Sequence, residues 1–366
     1  MFLPETYHAA LFLMILSMLC WGSWANTLKL CPRYRFQLFY WDYVFGVLLG
    51  AIVWGLTAGS MGHEGSPFTS AIARTPESAI LYAACGGAIF NIANLLLVAA
   101  IDVAGLAVAF PIGIGLALIV GAVSSYLVHP AANPLLLFGG VALVTVAIVL
   151  DAAAYRKREN HPREESPSPG TPASDAPAAT TRGIVISLIA GLLMGSFYPL
   201  VARAMAGAPM HAVRTMAARN GELVTLYHGT PPASPYAVAL FFAIGVLLIN
   251  IPANWLLMKK PLDGKPPVDG ADYWRAEFGW HLAGVFGGFV WCAGAVSNFV
   301  ASQAHVNIGP AVSYSIGQGA TMVSALWGVF VWREFAGSSS TAKALLFFMF
   351  VFFLLGLGSI AIAPLH

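Results

Sequence analysis

Ten runs of about twenty mostly apolar residues, separated by shorter polar stretches, limit what this chain can fold into. A helix of roughly 20 apolar residues crosses the hydrocarbon core of a bilayer. It satisfies every backbone N–H and C=O internally, which lipid demands. The runs predict spans at 9–28, 42–59, 78–100, 104–127, 134–155, 183–206, 235–257, 280–301, 307–331 and 342–363. Spans 3 and 4, and spans 8 and 9, are joined by very short links and must form antiparallel hairpins. Met1–His8 holds no Lys or Arg, so the first run is expected to remain as a helix and not to be a cleaved signal.

Charge usage agrees. Only 9% of the 366 residues are charged and the mean hydropathy is +0.75, whereas soluble domains carry roughly 25% charged residues. A net charge of +2 offers no basic surface for nucleic acid. Cys20, Cys31, Cys85 and Cys292 show no CxxC pairing and read as small buried hydrophobes. No metal and no cofactor are expected.

The stretch 156–182, RKRENHPREESPSPGTPASDAPAATTR, has almost nothing to bury and reads as a flexible linker. It divides the chain into 1–155 and 183–366, with five spans in each part. Of the 18 Lys and Arg, 14 lie in loops after odd-numbered spans, among them Lys29, Arg35, Lys260 and Arg333. Positive charge marks cytoplasmic loops. The linker is therefore expected in the cytoplasm and both termini outside, in a cell (inner or plasma) membrane.

The two halves share motifs in matching order. GLAVAFPIGIGLALIVGAVSSYLVHP (105–130) and GPAVSYSIGQGATMVSALWGVFVWRE (309–334) align at one offset on Gly105/Gly309, Ala107/Ala311, Val108/Val312, Ile112/Ile316, Gly113/Gly317 and Gly115/Gly319. Phe110 falls opposite Tyr314. WGSW at 21–24 echoes MGSF at 194–197, FGVLL at 45–49 echoes IGVLL at 244–248, and Gly86-Gly87 echoes Gly287-Gly288. An odd number of spans per half makes the halves insert in opposite senses. The expected fold class is an all-α integral membrane protein of about ten transmembrane helices, built as two inverted five-helix repeats, the architecture of alternating-access carriers.

Polar and aromatic side chains inside the spans are the candidate substrate-binding residues. A buried amide in lipid must face a partner or a wet cavity, which singles out Asn91, Asn94 and Gln318. Ser313, Tyr314, Trp21, Trp24 and Trp291 join them as hydroxyl and flat aromatic groups. Amides both donate and accept, which suits neutral solutes bearing hydroxyls or N–H and C=O groups. Interhelical bonding and ordinary packing compete with this reading. Pro111, Gly113, Gly115, Gly317 and Gly319 are candidate helix hinges, and Pro111 and Pro199 are expected to kink spans 4 and 6. Close helix contact explains the glycines equally well. Asp42, Asp102, Asp151 and Glu334 fall near span ends; Asp42 and Glu334 are the candidates for proton coupling. A facilitator without protons fits as well.

The five-plus-five plan, Trp21-Gly22-Ser23-Trp24, and the Gly-rich run from Gly309 ending at Glu334 resemble the drug/metabolite transporter superfamily. PYAVALFFAIGVL, MKKPLDGKPP and HLAGVFGGFVWCAGAVSNF are most similar to its ureide permease-like branch, akin to the rhamnose–proton and glucose/ribose permeases. The resemblance implies uptake, often proton-coupled, of ureides, nucleobases or sugars. Plant ureide permeases carry a Walker A-like stretch in the central loop; 156–182 has no GxxxxGK[ST].

The expected function is a secondary transporter moving a small neutral polar solute, a nucleobase, ureide or nucleoside ahead of a monosaccharide. Its partners are that solute, the lipid bilayer and, under coupling, protons. Gly46-x-x-x-Gly50 permits close helix contact, either within the chain or in a homodimer. A multidrug or metabolite exporter is the alternative, ahead of a channel or an intramembrane enzyme. The spans hold no HExxH, no GxGD and no Ser–His pair at one depth.

Overall fold

The computed structural model describes residues 1–159, 176–217, 223–230, 232–262 and 264–366. The first half comprises α1 (Tyr7–Ser23), α2 (Asn26–Lys29), α3 (Phe36–Leu56), α4 (Phe68–Arg74), α5 (Glu77–Ala104), α6 (Leu106–Val128) and α7 (Pro134–Glu159). The second comprises α8 (Ala176–Ala206), strands β1 (Ala208–Ala217) and β2 (Leu223–Thr230), α9 (Pro235–Lys259), α10 (Ala271–Arg275), α11 (Phe278–Ser302), α12 (Gly309–Gly317), α13 (Ala320–Leu326) and α14 (Ser340–Ile362). Among the described residues, nine helices are long and apolar enough to cross a membrane. Bulky apolar side chains such as Phe12, Leu49, Leu248, Phe347 and Leu354 point outward from them, as lipid-facing residues do.

The remaining expected span, 307–331, is broken. α12 stops at Gly317, and α13 resumes at Ala320 and runs into a π-helical turn over Trp327–Val331. Gln318 forms the joint between two glycines, which cost the most backbone entropy to hold in a helix. Gly319 N–H turns back to Ile316 O at 2.9 Å, an i→i−3 bond that tightens the last turn. Pro111 and Pro199, the expected kink sites, lie inside helices α6 and α8.

Two further elements differ from the sequence reading. α7 runs to Glu159 and α8 begins at Ala176, so both ends of the 156–182 linker are helical; its centre lies outside the described residues. The segment after α8, read as a plain loop, forms an antiparallel hairpin with Thr215 opposite Thr225. Its Val, Thr, Leu and Tyr residues favour a pleated strand and are too few for another span.

Helix packing comes in matched sets between the halves. α5 packs on α8 and α9, and α11 on α1 and α3; α6 packs on α8, and α13 on α1; α7 packs on α14. The echoed glycines make the contacts. A Cβ on Gly46 would lie 2.0 Å from Val285 O, and one on Gly288 1.9 Å from Tyr43 O. Across α5 and α9, a Cβ on Gly245 would lie 2.0 Å from Ala84 O, and one on Gly87 2.0 Å from Phe242 O. Each of these glycines lets backbone touch backbone, as small residues do in membrane bundles. Gly46 and Gly50 both abut α11, so the GxxxG pair is used inside the chain. Gly105 and Gly309, aligned in sequence, open α6 and α12 with φ of +80° and +75°, values an L side chain rarely adopts.

Candidate functional site

Helices α1, α3, α5, α6, α8, α11 and the broken α12–α13 enclose a cavity of about 310 Å³. Trp21 comes from α1 and Trp24 from the residue that caps its end, Phe90, Asn94 and Leu97 from α5, Phe110 and Ile114 from α6, Met194 and Phe197 from α8, and Trp291 from α11. Gln318, Thr321 and Ser324 come from the joint and from α13. The walls are flat: Trp21 stacks near Trp291 at 5.9 Å and 18°, and Phe90 lies on Trp291 at 4.3 Å and 30°. Trp21 Nε1 is spent on Trp291 O at 3.2 Å.

Against these rings stand two amides. Asn94 donates to Tyr40 Oη at 3.0 Å, which fixes its rotamer and leaves its carbonyl oxygen without a protein donor among the described residues. The Gln318 side chain has no hydrogen-bond partner among the described residues, although 91% of its surface is covered. The break in span 9 holds it there, since Thr321 Oγ1 caps Gln318 O at 3.1 Å.

The cavity lies toward one end of the bundle. Its lining runs from the middle of α5, α8 and α11 to the last turns of α1 and α5, the first turns of α3 and α6, and α13. The latter turns and α13 lie nearest the face bearing Lys29, Arg35 and Arg333, here called the basic face. Ala25 is exposed there and Trp24, Leu28 and Phe110 are half-buried.

Toward the other face the bundle is sealed. Tyr314, expected to bind substrate, packs its ring where a Cβ on Gly121 would lie 2.2 Å from Cε1. Its hydroxyl points to Ala117 O at 3.2 Å, and its ring lies 4.8 Å from that of Tyr198. Ser313 Oγ is bonded to Asn298 O at 2.8 Å, and the Asn298 amide reaches Ser313 O at 2.8 Å and Ser17 Oγ at 3.2 Å. Tyr198 Oη donates to Asn298 Oδ1. All five residues are fully buried. Asn91 is also fully buried and faces Asn250 Oδ1 at 3.4 Å in the α5–α9 contact. Trp21, Trp24, Asn94, Trp291 and Gln318 thus line the cavity, while Asn91, Ser313 and Tyr314 do not.

The hinge candidates divide likewise. Gly317 and Gly319 flank the break and let α1 approach, a Cβ on each meeting Trp21 or Met18 within 2.7 Å. Gly113 makes room for Leu97, and Gly115 faces open space. The sequence reading missed Phe90, Phe110 and Phe197, which carry no polar signal in a chain this apolar. It also missed Asn298, which the buried-amide rule would have found.

The family model described as Ureide permease matches residues 39–168 and 176–363. The chain belongs to the ureide permease family. It is similar to Ureide permease 1 of Arabidopsis thaliana, at 24% identity with both chains fully covered. It is similar also to Ureide permease 4 of the same plant, at 27% identity over 96% of each chain. One solved crystal structure shares the fold at a TM-score of 0.56 and 13% identity, over 95% of this chain and 96% of the other. As a member of a permease family with many spanning helices, the chain is a multi-pass membrane transporter and not an enzyme.

In this ureide permease homologue the two proton-coupling candidates sit apart from the cavity. Asp42 is 2% exposed. It accepts hydrogen bonds from Tyr34 Oη at 2.9 Å and Tyr273 Oη at 2.6 Å, and His281 Nδ1 lies 2.9 Å away. The cluster ties the loop before α3 and helix α10 to α3 and α11. Burial first, and the Asp42 carboxylate next, push the Tyr34 and Tyr273 hydroxyls well above the ordinary tyrosine range. A folded-state value above the unfolded one means this contribution is complete below about pH 10 and fades as pH rises beyond it. Tyr273→Phe is expected to cost about 1.5–3 kcal/mol at neutral pH, as for other bonds to charged groups, and to flatten the loss of melting temperature above pH 10. Scanning calorimetry from pH 7 to 11 checks both; identical pH profiles would refute the assignment. Glu334 lies beyond the cavity, joined to Lys29 Nζ at 2.7 Å and to Tyr155 Oη at 2.9 Å.

Proposed function

We propose that this chain is an alternating-access carrier for a ureide or a similarly flat, neutral heterocycle such as a nucleobase. The unpartnered Gln318 amide in a chamber walled by Trp21, Trp291 and Phe90 carries the reading. Neither end of the Gln318 amide is sealed by protein, and a solute with adjacent N–H and C=O groups satisfies both. Stacking on indole accepts the planar face of such a solute. The family's name points the same way. A monosaccharide would also find stacking faces, but it brings more hydroxyls than the two amides serve.

The two five-helix halves act as inverted repeats in this proposal, the plan of the drug/metabolite transporter superfamily. The matched packing sets, the paired contacts of Gly46/Gly288 and Gly245/Gly87, and the matched φ of Gly105 and Gly309 support it. With the basic face in the cytoplasm and both termini outside, the cavity faces inward and Tyr314 closes the outer side. Rocking of the halves would reverse this.

A thermal-shift screen of purified protein against allantoin, uracil, uridine and glucose tests the substrate class. Stabilisation grows with ligand concentration over Kd, so a weak substrate registers at millimolar levels. Allantoin or uracil is expected to raise the melting temperature, and Gln318→Ala to abolish the shift without lowering the ligand-free value. A shift by glucose alone, or one that survives Gln318→Ala, would defeat the proposed site.

A further inference from the structure

We infer that Asp151 is the proton-binding site of the transport cycle, in a side chamber that adjoins the solute cavity. The inference rests on the carrier reading above.

The chamber has a volume of about 250 Å³ and is bordered by Asp151, Tyr155, Lys29 and Glu334. Glu334 has both oxygens engaged, by Lys29 Nζ at 2.7 Å and Tyr155 Oη at 2.9 Å. Asp151, 7% exposed, has its Oδ1 buried with no hydrogen-bond partner. Among the described residues, Lys29, Glu334 and Tyr155 are the other charged or titratable groups bordering the chamber; α6 contributes Phe110 to the lining and α14 contributes none. An ionised carboxylate so placed is costly. A proton from hydronium at the basic face forms one O–H bond on Asp151, releases water and neutralises the carboxylate. Reversal returns the proton to water.

Proximity supplies the link to solute. Ala25, Phe110, Thr321 and Ser324 border both spaces. Thr321 also bonds Gln318 O at 3.1 Å, so the wall of the proton chamber is tied to the joint that presents Gln318. Ionisable groups inside membranes mark proton relays, and here the geometry distinguishes Asp151 from Asp42, whose oxygens are already filled.

The experiment uses the full chain in proteoliposomes with radiolabelled allantoin. An inward-acid gradient is expected to drive accumulation, while exchange without a gradient reports the carrier alone. Asp151→Asn is expected to cut accumulation by about tenfold or more and to leave exchange within about twofold, since only the coupled step needs the proton. Asp151→Glu is expected to restore accumulation in part. Should Asp151→Asn fail to fold, carbodiimide labelling of the unaltered protein substitutes: Asp151 is expected to be labelled at pH 6 more than at pH 9. Accumulation equal to that of the unaltered chain in Asp151→Asn would overturn the inference. So would exchange without gradient-driven accumulation, accumulation driven by sodium in place of protons, or pH-independent labelling. Absence of exchange in the unaltered protein would instead strike the carrier reading, and the inference with it.

Discussion

Gly288→Val is expected to yield almost no folded, detergent-extracted protein. The Cβ of the new side chain would sit 1.9 Å from Tyr43 O, a backbone atom that cannot rotate away. Helices α3 and α11 would have to separate along their whole contact, which also carries the Gly46 and Gly50 approaches. Ordinary overpacking costs about 1–3 kcal/mol when side chains can adjust. A forced backbone separation belongs to the exceptional class above about 4–5 kcal/mol. Gly87→Val, in the corresponding contact of α5 with α9, is expected to behave alike. Gly115→Ala is the control: nothing lies within 4 Å of its Cβ, so alanine should be neutral or mildly stabilising. Size-exclusion profiles in detergent and melting curves check all three. A Gly288→Val melting temperature within a few degrees of the unaltered chain would show that this contact does not set the fold.

The helical plan was legible because lipid leaves so few choices. A run of about twenty apolar residues has one stable backbone solution there, and only position-specific chemistry modifies it. That chemistry was partly readable. Gly317-Gln318-Gly319 was marked as special, but the aligned Gly113-Ile114-Gly115 looked the same, and α6 runs through it unbroken. The difference is contextual: Gly317 and Gly319 receive α1 while Gly115 faces open space. The site was readable as residue types more than as positions. Gln318 and Asn94 declared themselves because an amide is expensive in lipid. Tyr314 and Asn91 carried the same signal and lie in helix contacts outside the cavity, since a polar group facing protein and one facing solute are spelled alike. Only distances separate them.

The second large effect is expected at Phe110. Tyr314 closes one end by packing into the space over Gly121, with Ala117, Met194, Phe197 and Tyr198 around it. At the offsets that relate the halves, these residues correspond to Phe110 over Ala325, with Thr321, Trp21, Trp24 and Ala25 around it. All six of those residues border the solute cavity or the proton chamber, where the bundle is open. If the halves exchange conformations, Phe110 moves onto Ala325 to close the basic face as Tyr314 withdraws from Gly121. Phe110→Ala is then expected to slow allantoin transport by tenfold or more, which needs only about 1.4 kcal/mol. That is well below the roughly 3–5 kcal/mol that Phe→Ala removes from a packed site. Binding measured by thermal shift should stay within about twofold, because the state that binds from the basic face is untouched. A maleimide probe at Thr321→Cys, in a background lacking the four native cysteines, should label faster when Phe110→Ala is added. Rapid transport by Phe110→Ala, or labelling unchanged by it, would mean that the basic face closes some other way and that the symmetry of the halves does not extend to their gates.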